Sequence, residues 1–301
     1  MPTVTPRFQA MASVCELHLV GDHEAQLQRA AEAAIAEVQR IERVWSRYRP
    51  DSVVSHINAA AGTGERVVVD AETAHLLNFA AQLHAASGGL FDITSGVLRR
   101  AWDFKTGRLP EPETLAALLP LIGWPMVSWD GQSVALPQAG MELDFGGFGK
   151  EYAADRAHAL LVAHGVRHGW VNLGGDLRVI GPQTDGRPWV FGIQHPRAAD
   201  RGADTTLGHI SLSEGALATS GDYERYFECF GRRYCHILDP RTGWPVQHWR
   251  SVSVVAPVCV AAGALSTIAM LMGDSAIDFL SGQNVRFLAC NSSGAVVHEG
   301  L

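Results

Sequence analysis

Between residues 27 and 45 the apolar side chains Leu27, Ala31, Ala34, Val38, Ile41 and Trp45 recur at steps of four and three. That is the period of an α-helix, so they share one face, and a helix with a single apolar stripe has to lay it on a neighbour. The residues just before it supply a different surface. In 8–20, Cys15, Leu17 and Leu19 alternate with Val14, Glu16 and His18, which is the period of a strand. The same two periods then recur in irregular order. Asp70 is placed to cap a helix running to His84, with Leu76, Leu77, Ala80 and Leu83 as its stripe, and Ser87-Gly88-Gly89 ends it. Prolines at 110 and 120 bracket a short helix. A strand over 141–145 leads through Gly146-Gly147-Phe148-Gly149-Lys150 into a helix over 151–164, and a strand over 170–180 is interrupted at Gly174-Gly175. Short strands at 189–195, 209–213, 232–238, 251–256 and 285–290 follow, with an apolar helix over Cys259–Met272 among them. Helices and strands mix without strict βα alternation, which points to an α+β fold rather than a doubly wound sheet.

No linker, low-complexity tract or repeat divides the 301 residues, so one domain over 1–301 is expected. A net charge of -7 argues against nucleic acid as the main partner, because neutralising phosphates takes a basic face. It leaves room for a nucleotide, which needs only local donors. The five cysteines form no CxxC pair, which suits buried thiols in a reducing compartment. Residues 1–8 lack the apolar core of an export signal, and no apolar stretch is long and uninterrupted enough for a membrane span. A cytoplasmic protein is the expectation.

Several segments carry more polar chemistry than a core needs. In 231–243 a strand pattern at 234–238 runs into the turn Asp239-Pro240-Arg241-Thr242-Gly243, so His236 falls near a strand end beside a loop of donors and acceptors. Such a histidine is suited to moving a proton near neutral pH. Alternatively, its ring packs in the sheet and bonds a carbonyl. Successive glycines in 146–149 leave backbone N–H groups uncovered, the following helix aims its dipole at the same place, and Lys150 adds a mobile positive charge. That is a seat for a pyrophosphate or, equally, a tight turn with glycines for close packing. The spacing is neither a Walker loop nor a dinucleotide fingerprint. Asn172-Leu173-Gly174-Gly175-Asp176 reads as a strand bulge, and residues 219–225 read as a turn. Gly263-Ala264-Leu265-Ser266-Thr267 permits close approach of another element or a ligand, while Ser266 and Thr267 are as able to bond back to their own helix.

Together these segments resemble the ApbE family, the FAD:protein FMN transferases. The likeness runs from about 11 to 273 in the family's order. It is most specific at 143–155 and at 220–243, with Trp45-Ser46-Arg47-Tyr48, Ser52, Asn58, 89–94 and 172–176 in support. It implies an ApbE-like, T-fold-like architecture of mixed sheets with packed helices. It also implies a reaction, in which FAD binds with Mg²⁺ on its diphosphate, the FMN half passes to a Thr or Ser hydroxyl of a target flavoprotein, and AMP leaves. By that resemblance His236 is the base. Met11, Tyr48, Phe91, Asp92, Ile93, Asp144, Lys150 and Ile237 fall where the family contacts FAD, and Gly147 (through its carbonyl) and Thr267 fall at the metal.

The chain departs from the family in two places. Met-Gly-Thr near the N-terminus is here Met11-Ala12-Ser13. The Asp that shares the metal with the Thr four residues on is here Gly263, which leaves Thr267 without a carboxylate on its helix face. Glu151 and Asp222 are candidates to replace it, and Gly263→Asp is expected to strengthen Mg²⁺ binding. Two further readings follow: an FAD pyrophosphatase, with water in place of the protein hydroxyl, and a non-catalytic flavin carrier, for which Gly263 is the argument.

Overall fold

The computed structural model describes residues 1–198 and 205–300. After the edge strand β1 (Thr3–Val4), β2 (Arg7–Ala10) and β3 (Ser13–Val20) form a hairpin where a single strand was expected over 8–20. Met11 and Ala12 reverse the chain with φ of 52° and 57°. Both lie in the left-handed region that a two-residue hairpin turn requires. Helix α1 (Glu24–Trp45) buries the expected stripe. The sequence did not announce α2 (Val53–Ala59), which starts where the Ser52 hydroxyl accepts the Ser55 N–H. Beyond β4 (Val67–Val68), α3 (Ala71–Ala86) is capped as expected, the Asp70 carboxylate accepting the Thr73 N–H at 2.7 Å. A 3₁₀ segment, Ile93–Arg100, and α4 (Pro112–Leu118) lead to β5 (Ser128–Trp129) and β6 (Ser133–Ala135), which join β4 in a small sheet.

No strand forms at 141–145. The segment is extended, but a side chain does the work of a neighbouring strand: the Asn58 amide donates to the Leu143 carbonyl at 3.0 Å and its oxygen accepts the Leu143 N–H at 2.7 Å. Helix α5 (Gly149–Ala163) follows. Strands β7 (His168–Leu173) and β8 (Asp176–Gly181) are antiparallel, and Gly174-Gly175, at φ of 60° and 98°, turn the chain between them. The pair is therefore a hairpin turn and not a bulge, in a conformation where glycine alone is at ease. Strands β9 (Trp189–Gln194) and β10 (Thr206–Leu212) make a separate hairpin. Residues 219–221, read as a turn, are the last residues of β11 (Gly215–Gly221), inside the main sheet. Strands β12 (Tyr226–Cys229) and β13 (Arg232–Cys235) form another hairpin, and the strand expected over 232–238 stops at Cys235. The chain closes with β14 (Trp249–Ala256), α6 (Cys259–Met272), α7 (Ala276–Gly282), β15 (Arg286–Asn291) and β16 (Val296–Glu299).

The main sheet has 9 strands in the order β1-β3-β7-β8-β11-β14-β15-β16, with β2 paired to β3. On one face α5 packs against β7 and β8, α6 against β11 and β14, and α1 covers α5. On the other, Leu177, Val179 and Leu217 meet Ile193 and Ile210 of the β9–β10 hairpin. One carboxylate ties the two central helices together. Asp155 of α5 accepts the N–H groups of Cys259 and Val260, each at 2.9 Å, and pairs with Arg178 of β8 at 3.0 Å. It thus completes the first turn of α6, whose amides have no partner within their own helix. The run Cys259–Gly282 is long and apolar enough, by length and composition, to cross a membrane, where no such stretch was expected. It breaks at Gly273 (φ 59°) into α6 and α7, which pack on Val252, Val254 and Phe287 of the sheet.

Candidate functional site

A cavity of about 1780 Å³ lies where the N-terminus of α5, the turns at Met11-Ala12 and Gly174-Gly175, and the ends of β11 and β13 converge. Ligand pockets for one small molecule are usually about 300–1,000 Å³, so there is room for a dinucleotide and part of a second molecule. Every residue that the resemblance assigned to FAD, to the metal or to proton transfer lines this cavity.

One wall is formed by the start of α5. Phe148 makes no side-chain cap bond there; the Phe145 carbonyl accepts the Gly149 N–H at 2.7 Å, and the positive end of the helix dipole lies beside Gly146-Gly147. A Cβ at Gly147 would fall 2.8 Å from the Phe91 ring, so a side chain there would have to displace that ring. Lys150 is not mobile: its Nζ lies 2.8 Å from Asp176 Oδ2 and donates to the Gly174 carbonyl at 3.3 Å. Burial opposes its charge, but Asp176 and Glu151 outweigh burial and hold its pKa above the usual lysine value.

Glu151 is only 8% exposed and turns towards α6. A Cβ at Gly263 would fall 2.5 Å from Glu151 Cγ and 2.8 Å from its Oε1, so this carboxylate occupies the space a side chain at 263 would take. Its Oε2 has no hydrogen-bond partner. Burial, then the charge of Asp176, push its pKa well above the carboxylate range. The expectation for Gly263→Asp is corrected accordingly, because the added side chain has no room while Glu151 stays. Asp222, the other candidate, is engaged elsewhere. It holds Arg197 with both oxygens, at 2.6 and 2.7 Å, on a separate pocket of about 120 Å³.

Thr267 and Ser266 reach across to Ser220 of β11, with hydroxyl separations of 2.9 and 2.8 Å. Ser266 also bonds back to the Gly263 carbonyl at 3.0 Å. Among the described residues no three His, Cys, Asp or Glu side chains gather as a metal-binding group. Glu151, the Thr267 hydroxyl and the Gly147 carbonyl are oxygen donors, a set that fits a hard divalent cation better than a thiophilic one.

His236 follows directly after β13. Its N–H donates to the Arg225 carbonyl at 3.0 Å, and its ring is open to the cavity rather than packed in the sheet. The protein crowding the cavity walls, followed by the charge of Arg225, pushes its pKa down to about 4. The imidazole is therefore neutral near pH 7 and able to accept a proton. Asp239 to Gly243 stand back from the cavity and have a positional part. The Gly243 N–H donates to the Asp239 carbonyl at 2.8 Å, and the Gly243 carbonyl accepts the Trp102 indole N–H at 2.7 Å.

The walls beside the Gly146-Gly147 turn are aromatic and apolar. Phe91, Ile93 and Ile237 are buried walls, Trp45 and Trp102 also reach the cavity, and Tyr48 stands exposed at its edge. Asp144 pairs with Arg47 at 2.6 Å, and the Arg47 guanidinium lies over the Tyr48 ring, 5.1 Å from its centroid. Arg47 belongs to a segment that matches the family, but its pairing with Asp144 has no local sequence signal. The Asp92 carboxylate is taken up by the fold, accepting the Thr94 N–H and hydroxyl at 2.8 and 2.6 Å and the Trp124 N–H at 2.8 Å. The Met11 N–H donates to Glu42 at 2.8 Å, which anchors the hairpin turn at the rim.

An ammonium, a helix N-terminus and aromatic walls meet on one cavity, a combination that suits an anionic aromatic ligand. The chain belongs to the ApbE family, whose model matches residues 11–289. It is 34% identical over 280 residues to the FAD:protein FMN transferase of Rhodobacter capsulatus, covering 91% of this chain and 52% of that protein, about half its length. It is 30% identical to the FAD:protein FMN transferase of Haemophilus influenzae, covering 88% of this chain and 79% of the other. Among solved structures, the ApbE protein of Thermotoga maritima superposes with a TM-score of 0.90 at 32% identity, covering 99% and 97% of the two chains. A mutant of the flavin transferase ApbE from Vibrio cholerae gives 0.86 at 25% identity, covering 100% and 98%. The ApbE-like α+β expectation holds, with every strand pairing among the described residues antiparallel.

Proposed function

We propose that this protein is a Mg²⁺-dependent transferase that moves the FMN half of FAD onto a Thr or Ser hydroxyl of a target flavoprotein. The observation that carries the reading is the meeting, on one cavity, of a neutral His236 open to the cavity with the Lys150–Asp176–Glu151 group at the α5 N-terminus. The relatives named above as FAD:protein FMN transferases support it. The α5 N-terminus attracts the diphosphate, and the walls of Phe91, Ile93 and Ile237 suit the ring systems. The target hydroxyl gives its proton to the His236 imidazole as its oxygen bonds to the phosphorus carrying riboflavin. The bond from that phosphorus to the bridging oxygen breaks, and AMP leaves with the oxygen and its electron pair. Mg²⁺, when bound, supplies charge neutralisation on the diphosphate; Glu151, Thr267 and the Gly147 carbonyl are the groups fitted to hold it. The carrier reading weakens, because the space left by Gly263 is filled by a carboxylate.

The test is incubation with FAD, Mg²⁺ and a protein or peptide bearing a flavinylation Thr, read by mass spectrometry. An FMN adduct with stoichiometric AMP is the expected result. FMN and AMP without adduct would replace this reading by hydrolysis, and bound, unreacted FAD would replace it by a carrier.

A further inference from the structure

We propose that the carboxylate ligand for a divalent cation has moved in this chain from α6 to α5, so that Glu151 holds the cation that position 263 cannot. The inference deepens the reading above and rests on it for the cation's role, but its own basis is geometric. Glu151 is nine-tenths buried, lines the cavity and leaves Oε2 without a partner. A buried carboxyl oxygen that no N–H or O–H group reaches is costly unless a hydrogen-bond partner or a cation meets it. The nearest fixed positive charge, Lys150, is already paired with Asp176 at 2.8 Å. Two carboxyl groups thus stand beside one ammonium, and only Asp176 is paired with it.

Position 263 marks the face of α6 that the Glu151 carboxyl reaches. Gly263 lies one helical turn before Thr267, so both positions share a face of α6, and Thr267 lines the cavity with Glu151. The Glu151 carboxylate reaches that face from the neighbouring helix and lies in the space of a side chain at 263. The two positions are therefore alternatives. One carboxylate fits there, from α5 or from α6, and this chain supplies it from α5. The register is held by Asp155, on the same helix as Glu151, which caps the start of α6.

The experiment titrates Mn²⁺ by electron paramagnetic resonance, with and without FAD, into the natural protein and the variants E151Q, G263D, E151G/G263D and D222N. Metal-free FAD affinity is measured in parallel by flavin fluorescence. E151Q should weaken Mn²⁺ by about tenfold or more, the scale on which metal sites respond to lost partners. The double swap should recover most of that loss. G263D alone, with two side chains in one space, should melt earlier and bind Mn²⁺ no better than the natural chain. Unchanged Mn²⁺ affinity in E151Q, tighter binding in G263D at unchanged stability, or a loss confined to D222N would each overturn the proposal. If no variant binds FAD but E151Q loses Mn²⁺, the flavin reading fails and the relocated ligand stands. If FAD binds and E151Q keeps Mn²⁺, the reverse holds.

Discussion

His236 was legible in the sequence as a residue beside a turn, but its environment was not. The strand that leads to it ends one residue earlier, at Cys235, which leaves the ring outside the sheet. His236→Ala should lower transfer by about 10²–10⁴-fold, the range for a lost general base, with FAD affinity nearly unchanged. The working form is the neutral imidazole, so activity falls as pH drops through the pKa. With that pKa near 4, the acid limb of kcat/KM should lie well below the ordinary histidine range. A limb centred near pH 6.5, the unperturbed value, would mean that the cavity does not crowd the ring. Ala12 is a second residue whose cost only the structure shows. It holds φ of 57° with a Cβ, a conformation that costs an ordinary L-residue about 1 kcal/mol. Ala12→Gly should raise the urea midpoint by about that stability, less the entropy glycine adds to the unfolded chain, at unchanged slope. The Glu151–Gly263 contact had no sequence signature, because it joins two helices through packing and not through period.

Helices α1 and α3 were readable from local stripes, with a local cap for α3, and α6 from its unbroken run of small and apolar residues. The strands were less so. The hairpin turn at Met11-Ala12 contains no glycine, the residue that usually marks one, and the ladder at 141–145 is replaced by Asn58, 85 residues away from Leu143. The join between α5 and α6 rests on Asp155. Asp155→Ala should cost about 3 kcal/mol, because it uncaps α6 and also strands Arg178; urea denaturation is the check. It should also weaken Mn²⁺ binding, because the faces carrying Glu151 and Thr267 lose their register. On the same helix, burial and then Arg178 push the His158 pKa down to about 4. The unfolded chain, with an ordinary pKa near 6.5, then binds protons more readily than the fold. His158 thus contributes stability that is fully present above that value and is lost as pH falls towards 4. His158→Gln should flatten the fall in melting temperature over that window.

At the scale of the whole molecule, the class of fold was legible from the irregular mixture of helices and strands. The sheet order was not, since β3 pairs with β7 and β11 with both β8 and β14 across long stretches of chain. That pairing brings segments from both halves of the sequence onto one cavity, so a ligand there acts on the global equilibrium. FAD at about a hundred times its Kd should add about 2.7 kcal/mol of stability by mass action, seen as a concentration-dependent melting temperature. The placement of two of the chain's 8 tryptophans has a further, optical consequence. Trp45 and Trp102 line the cavity. Indole emission overlaps the near-ultraviolet absorption of an isoalloxazine, so a flavin seated there drains excitation from both rings. The protein carries its own occupancy reporter: its emission should fall as FAD is added, and Trp102→Phe should remove part of the fall. Unchanged emission at an FAD concentration that raises the melting temperature would place the flavin elsewhere.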